Sequence, residues 1–246
     1  MREAGYTERD SLMEIAPMST TRDRILNKLR AARRPFSDAP PRPKSYLPVT
    51  VIEDETPDAL LARFEQELTR LAGKLFTVSG DDEARDQVLE RLKAHGAEQI
   101  IAWDFACIPV DGLETAIREA GIGIIEPKTH GEDRAQVLAQ SAGAQVGLTG
   151  ADAAAATTGT LIFSAAPGKG RIPTVLAPVH IAVITLDQIV PRIESWIAAQ
   201  RQNGLQAFRA SANFCFISGP SRTGDIEMEL ILGVHGPGQV EVIVKR

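Results

Sequence analysis

Residues 57–103 read PDALLARFEQELTRLAGKLFTVSGDDEARDQVLERLKAHGAEQIIAW, and this run decides the fold. Leu60, Leu61, Phe64, Leu68 and Leu71 fall on one stripe at helical spacing. Residues 57–73 therefore read as a helix, with Pro57 at its first position and Gly73 as its stop. KLFTVS (74–79) reads as a short strand. DDEARDQVLERLKAHG (81–96) is a second amphipathic helix closed by Gly96, and QIIAW (99–103) is the next strand. Alternation on this scale means parallel strands joined by crossover helices.

The pattern extends outward from there. DGLETAIREAG (111–121) and EDRAQVLAQSAG (132–143) predict helices, while IGIIE (122–126) and AQVGLT (144–149) predict strands. TLIFS (160–164), HIAVIT (180–185), NFCFIS (213–218) and QVEVIV (239–244) add four more strands. A long helix is expected near 186–202, with Pro191 starting a new first turn inside it. The strands are short, apolar and unalternated, as strands are when both sheet faces are covered. The fold class is α/β, a mostly parallel sheet with helices on both faces.

The N-terminal part differs. Residues 1–20 are polar and aperiodic, RDRILNKLR (22–30) places Ile25 and Leu29 on one helical face, and PFSDAPPRPKSYLP (35–48) is a Pro-rich connector. We divide the chain into an extension, helical arm and linker over 1–50 and a main domain over 51–246.

Composition limits the function classes. Of 246 residues, 43% are apolar and 24% charged, enough to bury a core, and the net charge of −5 argues against a general nucleic-acid binder. No apolar run approaches the roughly 18 residues of a membrane span. MREAGYTERDSLMEIAP lacks the apolar region of a secretory signal, so a cytoplasmic location is expected. The two cysteines, Cys107 and Cys215, form no C-x-x-C pair and are read as small buried apolar residues. An iron–sulfur cluster or Cys-rich zinc site needs several thiolates, so no cofactor is expected in this chain.

Three loops concentrate glycine, proline and small hydroxyls. In GLTGADAAAATTGTLIFS (147–164), Thr149 is read as the cap of a short helix with Asp152 as its partner. Thr158, Gly159 and Thr160 then either contact a ligand or fill a tight turn with self-bonded hydroxyls. In FISGPSRTGDIEMEL (216–230), Ser218 and Gly219 end a strand, and Ser221, Arg222 and Thr223 precede an expected helix from about Gly224, with Asp225 in its first turn. A helix start favours an anion by about 0.3–1 kcal/mol. An Arg222 bond to a carboxylate or phosphate adds roughly 1.5–3 kcal/mol. Together these reach about millimolar affinity and no further. The alternative is Arg222 paired with Asp225 as a structural cap. In GVHGPGQVEV (233–242), His235 is either a turn histidine or a proton donor at the mouth of a site, and His180, before its strand, is similar. Ligands of open α/β sheets bind beyond the carboxyl ends of the strands, where these loops are expected to converge. APGKGR (166–171) lacks phosphate-loop spacing and reads as a hairpin or lid.

Four segments, RDRILNKLRAAR (22–33), GLTGADAAAATTGTLIFS (147–164), RIPTVLAPVHIAVI (171–184) and ISGPSRTGDIEMELILGVHGPGQVEVIV (217–244), resemble the LUD domain of the lactate utilisation proteins. The B branch of that family carries an additional Cys-rich, ferredoxin-like region. This sequence has none and resembles the C branch. The resemblance implies the NagB/RpiA/CoA-transferase-like fold. It also implies a subunit role beside Cys-rich iron–sulfur partners that oxidise L-lactate to pyruvate, with a small carboxylate as possible ligand. Thr158, Gly159, Thr160, Ser218, Gly219, Ser221, Arg222, Thr223, Asp225 and His235 match family motifs, without a catalytic role attached to any of them. Two departures stand out. The family usually has an acidic residue where this chain has Thr157, and a Leu-Pro-Pro-type run where it has Leu176-Ala177-Pro178. The competing function is a stand-alone enzyme on a phosphorylated or acyl substrate, of the sugar-phosphate isomerase, CoA-transferase or folate cyclo-ligase kind. A carboxylate sensor without turnover is a third.

Overall fold

A computed structural model describes residues 20–32, 51–127, 134–224 and 230–246. The chain divides into two units, Met1–Leu47 and Pro48–Arg246. In the first, α1 spans Thr21–Ala32 and buries no residue. Thr20 caps it, its hydroxyl accepting from the Asp23 amide at 3.2 Å. The connector expected at 35–48 lies outside the described residues.

The second unit opens with α2 (Pro57–Arg70), β1 (Lys74–Val78), α3 (Gly80–Ala94), β2 (Gln99–Ala102), α4 (Leu113–Glu119), β3 (Gly123–Ile125), α5 (Arg134–Ser141) and β4 (Val146–Thr149). It continues with β5 (Ala153–Ala155), β6 (Thr160–Ser164), α6 (Ile172–Val175), β7 (Val179–Thr185), β8 (Ile189–Val190), α7 (Ile193–Gln202), α8 (Gln206–Ala210), β9 (Phe214–Ile217), β10 (Arg222–Gly224), β11 (Leu230–Leu232) and β12 (Gln239–Lys245).

Six strands form an all-parallel sheet in the order β1-β12-β7-β4-β2-β3. Its centre is buried on both faces: all of β4, all of β7 except Thr185, and Val240–Val244 of β12. Neighbouring residues of β12 show the two covered faces directly, because successive side chains point to opposite sides. Val240 shares a groove with Thr174 and Val175 of α6, whereas Glu241 meets Arg91 of α3. The core joins Phe64 and Leu68 of α2, Val88 and Leu92 of α3, and the sheet residues Ile100, Leu148, Ile181 and Val242.

The structure departs from the sequence reading in five places. First, TLIFS and NFCFIS do not join the parallel sheet. They pair antiparallel in a second sheet of order β8-β5-β6-β9. The reason is local: β5 and β6 are joined by a four-residue turn, and so short a connection permits only antiparallel neighbours. Second, Thr149 caps no helix, since it ends β4 and Ala153–Ala155 that follow are a strand. Third, the helix expected over 186–202 begins only at Ile193, after a tight turn at Leu186–Gln188 and the two residues of β8. Fourth, Arg222–Gly224 and Leu230–Leu232 form an antiparallel pair, so no helix starts at Gly224 and its contribution to anion binding falls away. Asp225 lies outside the described residues. Fifth, α2 stops through a left-handed Ala72 (φ 64°), not through Gly73.

Candidate functional site

The three loops do come together, but at the amino rim of the parallel sheet. Residues 218–221 leave β9 of the second sheet and arrive where β7 and β12 begin. Ser221 N donates to Pro237 O (2.8 Å), Gly233 N to Ser221 O (2.9 Å) and Gly238 N to Pro178 O (2.9 Å). A groove of about 290 Å³ opens there, lined by Val175, Phe216, Ser218, Ser221, His235 and Val240 among others. The loops therefore converge at the amino rim of the parallel sheet and not beyond its carboxyl ends, where they were expected. The loops follow strands of the second sheet, and those strands end against the start of the parallel one.

The first loop joins from behind. The Thr160 hydroxyl lies 2.8 Å from the Ser218 hydroxyl and 2.7 Å from that of Thr158. Thr160 is buried while Thr158 and Ser218 are exposed, so the hydroxyl chain runs from the interior to the surface beside the groove. Thr157 is buried and its amide donates to Pro191 O (3.1 Å).

Gly159 and Gly219 are both left-handed (φ 57° and 75°) and both press on the end of α2. A Cβ at 159 would stand 2.7 Å from Leu68 N, and one at 219 would stand 2.7 Å from Leu71 Cβ. Arg222 donates to the Leu71 carbonyl, one of the acceptors left free where the helix ends. These three residues lock the carboxyl end of α2 against the wall of the groove. Thr223 is half-buried in β10 and lies outside the groove lining.

His235 is exposed at the mouth of the groove. His180 is not a loop residue: it is the second residue of β7, fully buried, with Nε2 2.9 Å from the Thr149 hydroxyl and its ring 5.6 Å from that of Phe163. Burial pushes its pKa down to about 4, and Nδ1 has no partner among the described residues. The imidazole is thus neutral at physiological pH.

At the opposite, carboxyl rim the GKG segment is a pinned turn. Lys169 Nζ donates to Asp152 and to Ser164 Oγ (3.2 Å), and Trp103 Nε1 donates to Gly170 O (2.7 Å). Cys107 and Cys215 are half-buried, and burial pushes the Cys107 thiol up, with the Asp104 carboxylate adding to it. That keeps Cys107 in the unreactive thiol form.

Sequence reasoning missed one group. Glu241, in the middle of an apolar strand, is fully buried. It accepts from Arg91 Nε (2.9 Å) and NH2 (3.0 Å), and lies 3.1 Å from His95 Nε2. Burial pushes its carboxyl up, but the bonds from Arg91 and His95 more than offset this and hold it below the usual range. A lone acid inside QVEVIV was the available signal, since an ion in a doubly covered strand requires a partner.

Comparison with known proteins places these features in context. The sequence model of the LUD domain matches residues 61–244. Lactate utilization protein C of Macrococcus caseolyticus is 32% identical over 193 residues, covering 77% of this chain and 79% of that protein. Lactate utilization protein C of Halalkalibacterium halodurans is 29% identical over 189 residues, with 76% and 79% covered. The crystal structure of a DUF162 family protein from Deinococcus radiodurans superposes with a TM-score of 0.58 at 22% identity, over 78% of this chain and all of that one. That likeness supports the α/β fold.

Proposed function

This chain belongs to the LUD domain family, and on that premise we propose that it serves lactate utilisation as a subunit of the C type, working in the cytoplasm. The LUD domain is assigned to 51–246 and the arm and linker to 1–50. The observation that carries the reading is the 193-residue match to a protein named for lactate utilisation. That match covers more than three quarters of both chains, so it concerns the folded body and not one motif. Among the described residues no helix is long and apolar enough to cross a membrane.

The finer reading concerns chemistry. Oxidising L-lactate to pyruvate removes two electrons and two protons from the C2 carbinol. This sequence has two cysteines, and a cluster needs several, so the electrons are assigned to iron–sulfur clusters on Cys-rich partner subunits. The role left to this chain is to hold a small carboxylate or its partners. The amino-rim groove has the chemistry for it. Ser218, Ser221 and the backbone at Gly219 offer donors, His235 stands at the mouth, and Val175 and Phe216 give an apolar wall. In this reading Thr158 and Thr160 orient Ser218, and Arg222 holds the wall through Leu71.

The test is purification of the tagged full chain from lactate-grown cells, with and without its gene. The expected result is co-purification of Cys-rich iron–sulfur proteins, with growth on lactate lost on deletion. Isolation of the chain alone, with lactate growth intact, refutes the subunit reading. A thermal shift with coenzyme A or a sugar phosphate, and none with lactate or pyruvate, turns the assignment to a stand-alone enzyme.

A further inference from the structure

The hairpin at 165–170 fills the place where a sheet of this topology holds a ligand. The chain leaves β2 for β3 on one side and leaves β4 for β7 on the other, although β2 and β4 are neighbours. Such a switch point opens a crevice between the two following loops, and ligands of open sheets bind there. Its walls are the loop from Trp103 to Cys107 and the loop from Gly150 to Asp152. The hairpin touches both. Asp104 N donates to Gly168 O (2.9 Å), and a Cβ at Gly168 would stand 2.8 Å from Asp104 Cβ. Trp103 Nε1 donates to Gly170 O (2.7 Å), and Lys169 Nζ donates to the Asp152 carboxylate.

Polar contacts hold the hairpin. Residues 165–171 contribute no side chain to the hydrophobic clusters of the described residues, Ala166–Gly168 are exposed, and a single bridge between Ala166 and Lys169 closes the turn. Segments with few buried apolar contacts open locally at low cost. Beneath the hairpin lies a cavity of about 10 Å³, lined by Trp103, Phe163, Ser164, Thr174, Asn213 and Cys215 among others. The group that the hairpin inserts is an ammonium. Lys169 Nζ meets Asp152, the Ser164 hydroxyl at 3.2 Å and the indole of Trp103, 5.5 Å from the ring centroid. The second oxygen of Asp152 accepts from Ser164 N, which fixes the carboxylate. A fixed carboxylate, a neutral acceptor and an indole face together recognise an alkylammonium ion.

We propose that this crevice is a second binding site, separate from the amino-rim groove, for a ligand carrying a primary alkylammonium group, and that Lys169 is its tethered occupant. A ligand amine takes the place of Nζ, the hairpin swings out, and Lys169 enters solvent. The exchange sets one ammonium for another beside Asp152, so no charge is left without a partner. Asp152 repels a carboxylate, so lactate and pyruvate are not taken here. The tether limits affinity: a hairpin open about one tenth of the time raises the apparent Kd about tenfold.

The test is calorimetry of the full chain with n-butylammonium chloride, with n-butanol and sodium butyrate as controls. Amide hydrogen exchange is followed by NMR at Asp104 and Lys169, whose N–H groups donate to Gly168 O and Ala166 O. The wild type is expected to bind n-butylammonium saturably with a Kd on the order of 10 mM, and both amides are expected to exchange faster as the site fills. Lys169→Ala is expected to lower the Kd about tenfold. Adding Asp152→Asn, whose carbonyl still accepts from Ser164 N, is expected to abolish binding. An unchanged urea midpoint confirms that each variant folds, and Lys169→Gln replaces Lys169→Ala if it does not. Should neither fold, the wild-type titration and its amide exchange decide alone. Four results overturn the proposal: a wild type that takes up no n-butylammonium at ten times the expected Kd, even where Lys169→Ala binds it; binding without faster exchange at the two amides, or with a Kd that Lys169→Ala leaves unchanged; equal binding of n-butanol or butyrate; or binding that survives Asp152→Asn.

Discussion

Replacing Glu241 by Gln removes the only acid among the buried residues of the central strands. The carboxylate takes two bonds from Arg91, whose own side chain is 14% exposed, and one contact with His95. Lys74 stands 3.6 Å away but is largely exposed and adds little. A bond to a charged group contributes about 1.5–3 kcal/mol, and the Gln carbonyl retains one of the Arg91 bonds. The larger loss is that the Arg91 guanidinium keeps only the exposed Glu90, 4.0 Å away, as a counter-charge, and broken buried pairs cost about 3–5 kcal/mol. We therefore expect a destabilisation of about 3 kcal/mol. In urea this appears as a fall of about 1–3 M in the midpoint with an unchanged slope. The pH dependence gives the mechanism. The folded carboxyl titrates below its ordinary value of 4.5, so its contribution is complete above that value and is lost as pH falls through the lower folded pKa. The gap between wild type and Glu241→Gln is then constant from pH 7 to about 5 and closes below 4.5. A gap under about 0.5 kcal/mol, or one that persists unchanged at pH 3, refutes the view that this carboxylate is held ionised by α3.

Three further outcomes follow from the same geometry. His180 titrates at about 4 when folded against 6.5 when free, so between those values the unfolded chain takes up a proton that the folded one refuses. Stability should therefore drop by about 1.4 kcal/mol per pH unit across that window, a slope that His180→Leu abolishes in acid denaturation curves. Gly219→Ala puts a methyl 2.8 Å from the Leu71 carbonyl in a left-handed backbone, and calorimetry should show Tm lower by roughly 5–10 °C. Arg222→Ala frees the Leu71 carbonyl at the surface and should cost about 1 kcal/mol in urea, while calorimetric affinity for small carboxylates changes less than about twofold. A tenfold loss of affinity instead shows that the guanidinium turns to the ligand.

What could be read in advance was what depends on local pattern. Leu60, Leu61, Phe64 and Leu68 repeat at helical spacing and are the buried face of α2. HIAVIT is apolar between its two ends and QVEVIV is apolar but for Gln239 and Glu241, and they became the doubly covered centre of the sheet. Partnership between strands is non-local, so TLIFS was indistinguishable from a parallel strand until its pairing with β5 and β9 was seen. The stretch from Arg222 to Leu232 misled for another reason. Gly224 reads as the opening of a helix, but the structure has Arg222–Gly224 as a strand paired with Leu230–Leu232, a non-local partnership that the sequence does not display. At the site, the gathering of Ser218, Ser221 and His235 was legible as loop chemistry. Which rim they occupy was not, because that depends on β9 belonging to a second sheet. That Gly159, Gly219 and Arg222 meet the end of α2 was not legible, since close backbone approach has the same sequence signature whether the neighbour is a ligand or a helix end.

The most direct measurement of the account is backbone NMR of the full chain titrated with L-lactate and with pyruvate. We expect saturable shift changes confined to residues 216–221 and 233–238, abolished together by Ser221→Ala with His235→Ala. Saturable changes at the other rim, around Asp104, Gly150 and Asp152, or no response to either acid at tens of millimolar, contradict it.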